Sequence, residues 1–332
     1  MQFGIIGSGS WATALAKILT DNNHHINWWI RSGDTINYLQ QRRHNPHYLH
    51  NTHFDNTMLE MSSSLAYVVE QSDVLVVAVP SAYIHNVFSA LNTDTLKNKK
   101  IVSAIKGLLP DNNQLLHEYL QQQFNIKLED YFAVLGPCHA EEVAAEKLSY
   151  LTFSGIDEET TKAIAAHFHN EYLNTVINND IVGVQYAAVL KNIYALGAGI
   201  AHGLEYGDNF LSVYIANAAN EMVRFVRKVK LDEDVASLNY AASAYLGDLL
   251  VTCYSLYSRN RTFGNMIGKG YSVRAAQLEL NMVAEGYNAS RSIYHSAREH
   301  DIQIPIASAI YSILWEHEPA AHGFKQIETL LV

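Results

Sequence analysis

A lysine interrupts the most apolar helical stretch of the sequence. Lys191 stands between the apolar runs 187–190 and 193–196. A buried ammonium group is costly without a partner, and a lysine in such a place is suited to proton transfer or to polarising a carbonyl group. Asp248, which follows Gly247 and precedes a Leu-Leu-Val run, is a candidate counter-charge. The alternative is a lysine whose ammonium group reaches the surface along its own aliphatic stem.

Two further cationic positions suit a phosphorylated ligand. Lys106 follows the strand-like run 101–105 and precedes Gly107, which predicts an ammonium group at the carboxyl edge of a sheet. The stretch 258–264, Ser-Arg-Asn-Arg-Thr-Phe-Gly, reads as a cationic and amide-rich turn in an acidic protein. Its Ser258, Arg259 and Asn260 offer the donors that phosphate prefers. A solvated loop lysine and a solvated charge cluster are the respective alternatives.

A glycine-rich loop follows the first strand-like run and opens a helical one. Gly7, Gly9 and Ala12 form a G-x-G-x-x-A pattern in which the first glycine permits a tight turn and the second lets a diphosphate approach the backbone. The amides at the helix start would face that diphosphate. The motif predicts a dinucleotide-binding loop, with a chance glycine turn as the alternative.

The second strand ends at Ile30 and is followed by Arg31. An arginine at this place tolerates the 2′-phosphate of NADP(H), whereas an acid binds the ribose hydroxyl of NAD(H). Asp34 lies three residues further on and could still present a carboxylate. The sequence therefore favours NADPH over NADH without excluding either.

Gly136 and Cys138 belong to a turn, Gly-Pro-Cys-His-Ala, which follows the last core strand. We expect this turn close to the place where a substrate would meet the nicotinamide. A catalytic thiolate at Cys138 would need an ordered Cys/His/Asn arrangement, and the sequence gives no sign of one.

These positions require two kinds of scaffold. In the first half, β-branched runs at 2–6, 26–30, 74–79, 101–105 and 133–135 alternate with amphipathic stretches, which predicts a Rossmann-type, doubly wound parallel sheet over residues 1–182. Beyond about position 180, apolar residues recur at helical spacing in 185–200, 211–226 and 273–280, which predicts an all-α domain over 183–332. We expect a crevice where the two domains join.

Composition excludes several classes of function. The net charge is −10 and the sequence pI is near 5.9, without a basic run, which argues against a nucleic-acid-binding protein. Two cysteines, the lack of a signal-peptide pattern and the lack of a long apolar run favour a cytoplasmic protein without a membrane span. The sixteen histidines show no metal-ligand spacing, so no metal site is predicted.

Taken together, the motifs resemble those of the NAD(P)-dependent glycerol-3-phosphate dehydrogenases of the bacterial type, over nearly the whole chain. The matching pieces are Gly7–Trp11, Lys106–Leu108, Gly136–Pro137 with Ala140–Ala144, Leu190–Asn192, Gly207–Asn209, Gly247–Leu249, Thr252–Cys253, Ser258–Arg261 and Val283–Gly286. The resemblance implies a C-terminal domain like that of 6-phosphogluconate dehydrogenase. It also implies reduction of dihydroxyacetone phosphate to sn-glycerol 3-phosphate, which supplies glycerophospholipid synthesis.

The resemblance also implies roles for individual residues. The dinucleotide would be bound by Gly7, Gly9, Ser10, Trp11, Arg31, Lys106, Ala140, Arg259, Val283 and Glu285. The substrate would be bound by Lys106, Gly136, Cys138, Lys191, Asp248, Ser258, Arg259 and Asn260. Lys191 would be the proton acceptor when glycerol phosphate is oxidised. Our own mechanistic hypothesis adds Lys106 as an assisting cation and Asp248 as the residue that orients Lys191.

The chain departs from the family pattern at three positions. Ala12 and Tyr245 stand where glycine is usual, and Cys138 stands where serine is usual, which replaces a hydroxyl donor with a weaker thiol donor. Two other functions stay open from the residues alone. One is a two-domain reductase of 3-hydroxy acids or ketopantoate, and the other is a non-catalytic dinucleotide sensor. A homodimer is the expected assembly for an enzyme of this size.

Overall fold

The chain divides into two compact units in the computed structural model, which describes residues 1–230, 239–280 and 284–332. The first unit comprises Met1–Ile105 and Gln114–Ile181, and the second comprises Lys106–Asn113 and Val182–Val332. The segment Lys106–Asn113, which follows a strand of the first unit, therefore groups with the second. One reason is a hydrogen bond of 3.0 Å from Asn192 Nδ2 to the carbonyl oxygen of Lys106.

The first unit is built on a sheet. Its strands are β1 (Phe3–Ile6), β2 (Ile26–Trp29), β3 (Leu59–Ser62), β4 (Val74–Val77), β5 (Lys100–Ser103), β6 (Tyr131–Leu135), β7 (Ser149–Ser154) and β8 (Leu173–Asn178). Over the described residues the strand order is β3-β2-β1-β4-β5-β6-β7-β8. All neighbouring strands are parallel except β6 and β7. The order reverses at β1, whose carboxyl end is where ligands of such sheets bind.

The predicted fold class is confirmed, although the sequence analysis did not identify three of the strands. β1, β2, β4 and β6 are buried along their whole length, which produces the continuous apolar runs that were recognised. β3 and β8 are mostly half-exposed and carry polar residues, and β7 includes the exposed Tyr150. Predicted strands that reached position 79 or 105 were too long, since β4 ends at Val77 and β5 ends at Ser103.

Helices lie between the strands of the first unit along the chain, and they make up the second unit. Those of the first unit are α1 (Ser10–Asp21), α2 (Gly33–Arg42), α3 (Leu65–Glu70), α4 (Ile84–Phe88), α5 (Leu116–Phe124), α6 (Ala140–Ala144) and α7 (Glu158–Ala166). Those of the second are α8 (Ile181–Gly203), α9 (Asp208–Val229), α10 (Asp248–Tyr254), α11 (Arg259–Gly268), α12 (Val273–Leu280), α13 (Glu285–Glu299), α14 (Pro305–Trp315) and α15 (Ala320–Leu330).

Helix α8 is the core of the second unit. Its length and apolar composition alone would suit a membrane-crossing helix, which the sequence analysis did not anticipate. However, 94% of its most apolar window is buried inside the protein. An apolar surface all round is what such a buried helix requires.

Four glycines let α8 and α11 pack backbone against backbone. A Cβ at Gly264 would lie 1.9 Å from the carbonyl oxygen of Leu196, and a Cβ at Gly199 would lie 2.0 Å from that of Arg261. Gly203 and Gly268 repeat this close contact one turn further on. Because no side chain separates the two backbones, the start of α11 has a fixed position relative to α8.

Candidate active site

The glycine loop connects β1 to α1 at the carboxyl edge of the sheet. Gly7 has a φ of 124°, and a Cβ there would stand 2.6 Å from the carbonyl oxygen of Ala78, so only glycine fits. Gly9 is extended, and a Cβ there would meet no heavy atom of the described residues within 4 Å. The packing of the described residues therefore does not demand glycine at position 9, whereas close approach of a diphosphate to the backbone does.

The carbonyl groups of this loop are bound by the protein itself. Trp28 Nε1 donates to the carbonyl oxygen of Gly7 at 2.7 Å, and the amide of Thr13 donates to that of Gly9 at 3.0 Å. In a trans peptide the N–H group points away from the C=O group, so the amides of Ser8 and Ser10 are directed away from these partners. Together with the N-terminus of α1, they form a cradle suited to the diphosphate of a dinucleotide.

Arg31 lies just beyond β2, the parallel neighbour of β1. Its side chain is exposed, and the next residue, Ser32, caps α2 by accepting a hydrogen bond from the amide of Thr35. Asp34 is exposed in the first turn of the same helix. Arg31 thus follows the strand beside β1 at the edge of the sheet that carries the glycine loop, and a cationic residue there suits a ribose 2′-phosphate.

The turn after β6 packs against the carbonyl group of Tyr150 in the neighbouring strand β7. Gly136 has a φ of 134°, and a Cβ there would lie 2.8 Å from the carbonyl oxygen of Tyr150. Cys138 is buried, and its thiol donates to that same carbonyl oxygen at 3.1 Å. Ala140 follows as the buried first residue of α6. The weak thiol donor at position 138 therefore has a partner within the first unit.

In the second unit, Lys191 and Asp248 form a buried ion pair. The Nζ atom of Lys191 donates to Oδ1 of Asp248, and the two side chains are 4% and 1% exposed. The other carboxylate oxygen, Oδ2 of Asp248, is buried and accepts no hydrogen bond from the described residues. The pair thus combines an ammonium group with an acceptor that suits a hydroxyl group of a ligand.

Three hydrogen bonds between amide groups join four of the predicted segments. Asn192, next to Lys191, donates to the carbonyl oxygen of Lys106 at 3.0 Å. Its own Oδ1 accepts from Nδ2 of Asn260 at 3.0 Å, and Oδ1 of Asn260 accepts from the amide of Gly286 at 2.9 Å. This series, which we call the amide relay, ties the segment after β5 to α8, α11 and α13.

The stretch 258–264 is a helix N-terminus and not the turn that the sequence suggested. Ser258 is the N-cap of α11, and its hydroxyl accepts from the amide of Arg261 at 3.2 Å, which makes Arg259 and Asn260 the first helical residues. Apolar positions that follow, Phe263 and Ile267, are buried at helical spacing, which extends the segment into a helix. An anion at this end is favoured by the helix dipole as well as by Arg259.

Sequence reasoning missed two polar residues of the second unit. Asn192 appeared only as part of a motif, although it is the centre of the amide relay. Arg261 has a buried Nε that reaches no hydrogen-bond acceptor among the described residues. Its place in the first turn of α11 suits a phosphate oxygen. Charge density in the sequence was the available signal for Arg261. Asn192 was marked only by its place in the Leu190–Asn192 motif, which gives it no chemical role.

The remaining candidates are placed as follows. Glu285 is half-buried and begins α13, one residue before the amide of Gly286 that joins the relay. Val283 lies outside the described residues. Burial raises the pKa of Cys253 to about 12 despite the nearby cations of Lys191 and Arg261, so this thiol is not a thiolate nucleophile.

Comparisons with protein families match both units. The N-terminal model of the NAD-dependent glycerol-3-phosphate dehydrogenases matches residues 2–161, and the C-terminal model of the same family matches residues 180–325. A glycerol-3-phosphate dehydrogenase [NAD(P)+] of Chlorobium chlorochromatii is 32% identical over 324 residues, which cover 97% of this chain and 96% of the relative.

Solved structures give the same relationship. Glycerol-3-phosphate dehydrogenase from Coxiella burnetii superposes with a TM-score of 0.89 at 27% identity and covers 98% of both chains. A ketopantoate reductase from Ralstonia eutropha reaches a TM-score of 0.58 at 15% identity over 98% of this chain and 99% of that one, which shows likeness of fold alone. The chain therefore belongs to the NAD-dependent glycerol-3-phosphate dehydrogenase family.

Proposed function

We propose that the chain catalyses the reversible, NAD(P)H-dependent reduction of dihydroxyacetone phosphate to sn-glycerol 3-phosphate, which supplies glycerophospholipid synthesis. The observation that carries this proposal is the buried Lys191–Asp248 pair, one residue from an amide relay that reaches Lys106. A buried ion pair contributes little to stability compared with an apolar replacement, so its presence calls for a chemical role.

The first unit supplies the dinucleotide site. The residues proposed for it there are Gly7, Gly9, Ser10, Trp11, Arg31 and Ala140. When bound, the reduced nicotinamide supplies the hydride that the carbonyl carbon of the substrate accepts. Lys106, Arg259, Val283 and Glu285 are the further residues that we assign to the same ligand.

Lys191 is the proposed proton donor in the direction of reduction. Its ammonium group polarises the carbonyl oxygen of the substrate and gives up a proton as that oxygen becomes a hydroxyl. Asp248 keeps Lys191 ionised through Oδ1 and leaves Oδ2 for a hydroxyl group of the substrate. Lys106 adds a second positive charge, and its backbone is fixed by Asn192.

The N-terminus of α11 is the proposed phosphate site. Arg259 supplies charge and Ser258 shapes the cap, while Asn260 is buried and bonded on both sides, so it orients this turn. Gly136 and Cys138 are further proposed substrate contacts. Binding of the phosphate holds the substrate so that its reacting carbon is correctly placed. Contacts remote from the reacting atoms contribute to turnover in this way.

The test is an assay of purified protein with dihydroxyacetone phosphate, with NADPH and NADH supplied separately, following the absorbance of the reduced cofactor. We expect turnover in the wild type and a loss of at least about a hundredfold in kcat for Lys191→Met. Near-normal turnover in a folded Lys191→Met variant would remove the proposed proton donor.

The same assay separates the other functions. A ketopantoate reductase would oxidise NADPH with ketopantoate and ignore dihydroxyacetone phosphate, whereas a dinucleotide sensor would bind the cofactor and turn over neither compound. Likeness to ketopantoate reductases is one of fold alone. A sensor also has no use for the buried Lys191–Asp248 pair.

We further infer a homodimer in the cytoplasm. Exposed apolar side chains in the second unit, among them Tyr254, Leu256 and Tyr257, support self-association, and Leu256 is 83% exposed. Cys138 and Cys253 are the only cysteines of the chain, both are described and they form no disulfide, which suits a reducing compartment. Light scattering coupled to size-exclusion chromatography tests the dimer, and fractionation of cells tests the location.

A further inference from the structure

A buried asparagine contacts the glycine loop from a distant part of the sequence. The segment 43–55, between α2 and β3, has no helix or strand among its residues, all of which are described. Asn45 nevertheless has 0% exposure. Its Nδ2 donates to the carbonyl oxygen of Ser8 at 3.0 Å and to Oγ1 of Thr13 at 2.9 Å. Its Oδ1 accepts from the amide of His47 at 2.9 Å.

With these bonds, every carbonyl group of the glycine loop from residue 7 to residue 9 has a hydrogen-bond partner. Thr13 Oγ1 accepts from Asn45 and donates to the carbonyl oxygen of Gly9 at 2.9 Å. Gly7 is bound by Trp28, so the carbonyl groups of three successive residues, 7 to 9, are all held by the protein. Asn45 supplies the hydrogen bond to the carbonyl group of Ser8, the middle residue. It also supports the bond to the carbonyl group of Gly9, because it donates to the hydroxyl of Thr13 that makes this bond.

The orientation of one peptide plane follows from the bond at Ser8. Because the peptide is trans, holding the carbonyl group of Ser8 against Asn45 turns the amide of Gly9 to the opposite side. Gly9 is also the position where a Cβ would meet no described atom within 4 Å. The amide that Asn45 orients therefore belongs to a residue whose Cβ position is open.

We propose that Asn45 is a positioning residue for the dinucleotide diphosphate, which acts by holding the peptide between Ser8 and Gly9 in its binding orientation. The proposal rests on the proposed function for the identity of the ligand. Without Asn45 the peptide can rotate, and its amide must be reordered each time the dinucleotide binds, which weakens binding. Steps that depend on the second unit, such as proton donation by Lys191, should be unaffected.

A purely structural role is the competing explanation, since the bond from His47 to Asn45 also shapes the segment 43–55. Such a role would lower the melting temperature and the fraction of active enzyme. It would not change the dissociation constant of the dinucleotide, measured on the folded fraction of the protein. The two explanations therefore predict different affinities for the dinucleotide, and not only different amounts of active enzyme.

The main experiment compares Asn45→Ala with a matched control, Asn51→Ala, whose exposed side chain belongs to the same segment. NADPH and NADH are the probes, with binding followed by protein fluorescence and with KM measured for each substrate. For Asn45→Ala we expect a rise of about tenfold or more in the Kd and KM of the dinucleotide, with the KM of dihydroxyacetone phosphate within about twofold. Asn51→Ala should match the wild type.

Thr13 provides a second test that does not alter Asn45. Thr13→Val keeps the volume but loses both hydroxyl bonds, so dinucleotide affinity should fall, and Thr13→Ser should restore it. Unchanged dinucleotide affinity in folded Asn45→Ala, or equal loss of affinity for both substrates, overturns the proposal. If Asn45→Ala does not fold, Asn45→Asp takes its place, because it keeps the acceptor for the amide of His47 but has no side-chain donor for Ser8, and unchanged dinucleotide affinity in it overturns the proposal. A wild type that binds NADPH but does not reduce dihydroxyacetone phosphate contradicts the proposed function alone, because the binding comparison still decides the role of Asn45.

Discussion

Asn192 donates its side-chain amide to the carbonyl oxygen of Lys106 at 3.0 Å, so the residue next to one predicted site lysine holds the backbone of the other. The two lysines are 85 positions apart in sequence, from 106 to 191. Asn260 then fixes the amide of Asn192 by donating to its Oδ1. The placement of the Lys106 backbone relative to Lys191 therefore depends on two neutral side chains, Asn192 and Asn260.

Loss of the amide relay should reduce activity more than it reduces dinucleotide affinity. In Asn192→Ala the carbonyl group of Lys106 loses its donor and Asn260 loses its acceptor. We expect kcat/KM for dihydroxyacetone phosphate to fall about tenfold to a hundredfold, with a smaller rise in the Kd of NADPH, because the glycine loop and Arg31 of the first unit are untouched. Asn220→Ala, on the exposed side of α9, is the control. Wild-type kcat/KM in Asn192→Ala would contradict this role.

Breaking the Lys191–Asp248 pair should destabilise the protein more than replacing it. Asp248→Asn leaves a buried ammonium group without its charged partner, which costs about 3–5 kcal/mol of unfolding free energy. The double variant Lys191→Met, Asp248→Leu should recover most of that stability while staying inactive. Urea denaturation followed by circular dichroism measures both.

The exposed pair of Lys162 and Glu158 is the control for this comparison. Glu158→Gln should leave the midpoint of unfolding nearly unchanged, because exposed ion pairs are screened by water and salt. If Asp248→Asn unfolds at the same urea concentration as the wild type, the pair is not held as a buried ion pair in solution.

The close packing of α8 against α11 makes a further prediction. In Gly264→Ala the added methyl group would stand 1.9 Å from the carbonyl oxygen of Leu196, so the helices must move apart. We expect a loss of about 1–3 kcal/mol in unfolding free energy and reduced activity, since Arg259 and Asn260 move with α11. Gly33→Ala has the opposite expected sign, a gain of about 0.4–1 kcal/mol, because its Cβ meets nothing within 4 Å in the described structure.

Sequence patterns predicted those parts of the fold that are buried on both sides. A fully buried apolar run such as Val74–Val77 is typical of a strand inside a parallel sheet. β8, at the edge of the sheet, mixes polar and apolar residues without alternation, so its sequence resembles a loop. β7 has polar residues at both ends and the exposed Tyr150, so it lacks the continuous apolar run by which the other strands were recognised, and nothing local encodes its antiparallel direction.

The site was predictable where a residue type contradicts its surroundings. Lys191 was found because an ammonium group is foreign to an apolar helix, and the glycine loop because its spacing has a mechanical reason. Asn45 and Asn192 gave no such signal. Asparagine is common in loops and on helix surfaces, and only the fold shows that these two side chains are buried against backbone carbonyl groups.

Stability should depend on pH through Glu221, which is buried in α9. Burial raises the pKa of Glu221 to about 7, even though the amides of Ile306 and Ala307 and the hydroxyl of Tyr194 donate to it. A carboxyl group with a raised pKa in the folded state binds its proton more tightly there than in the unfolded chain. Its contribution to stability is therefore complete below pH 4.5 and is lost as pH rises through 7.

The measurement compares wild type with Glu221→Gln between pH 4.5 and pH 8. The unfolding free energy of the wild type relative to the variant should fall over this range by up to about 3 kcal/mol and then level off. A constant or rising difference would show that Glu221 stays ionised when folded.

Arg31 should set the preference between the two cofactors. Its exposed guanidinium group follows β2, at the edge of the sheet where the ribose of the adenosine half binds in this fold. Only NADPH carries a 2′-phosphate there, so Arg31→Ala should raise the KM of NADPH about tenfold or more and leave that of NADH within about twofold. Arg42→Ala removes another exposed cation, in the last turn of α2, and controls for net charge. An equal change for both cofactors in Arg31→Ala would instead assign the residue to general attraction of anions, and added salt would then reduce the difference between variant and wild type.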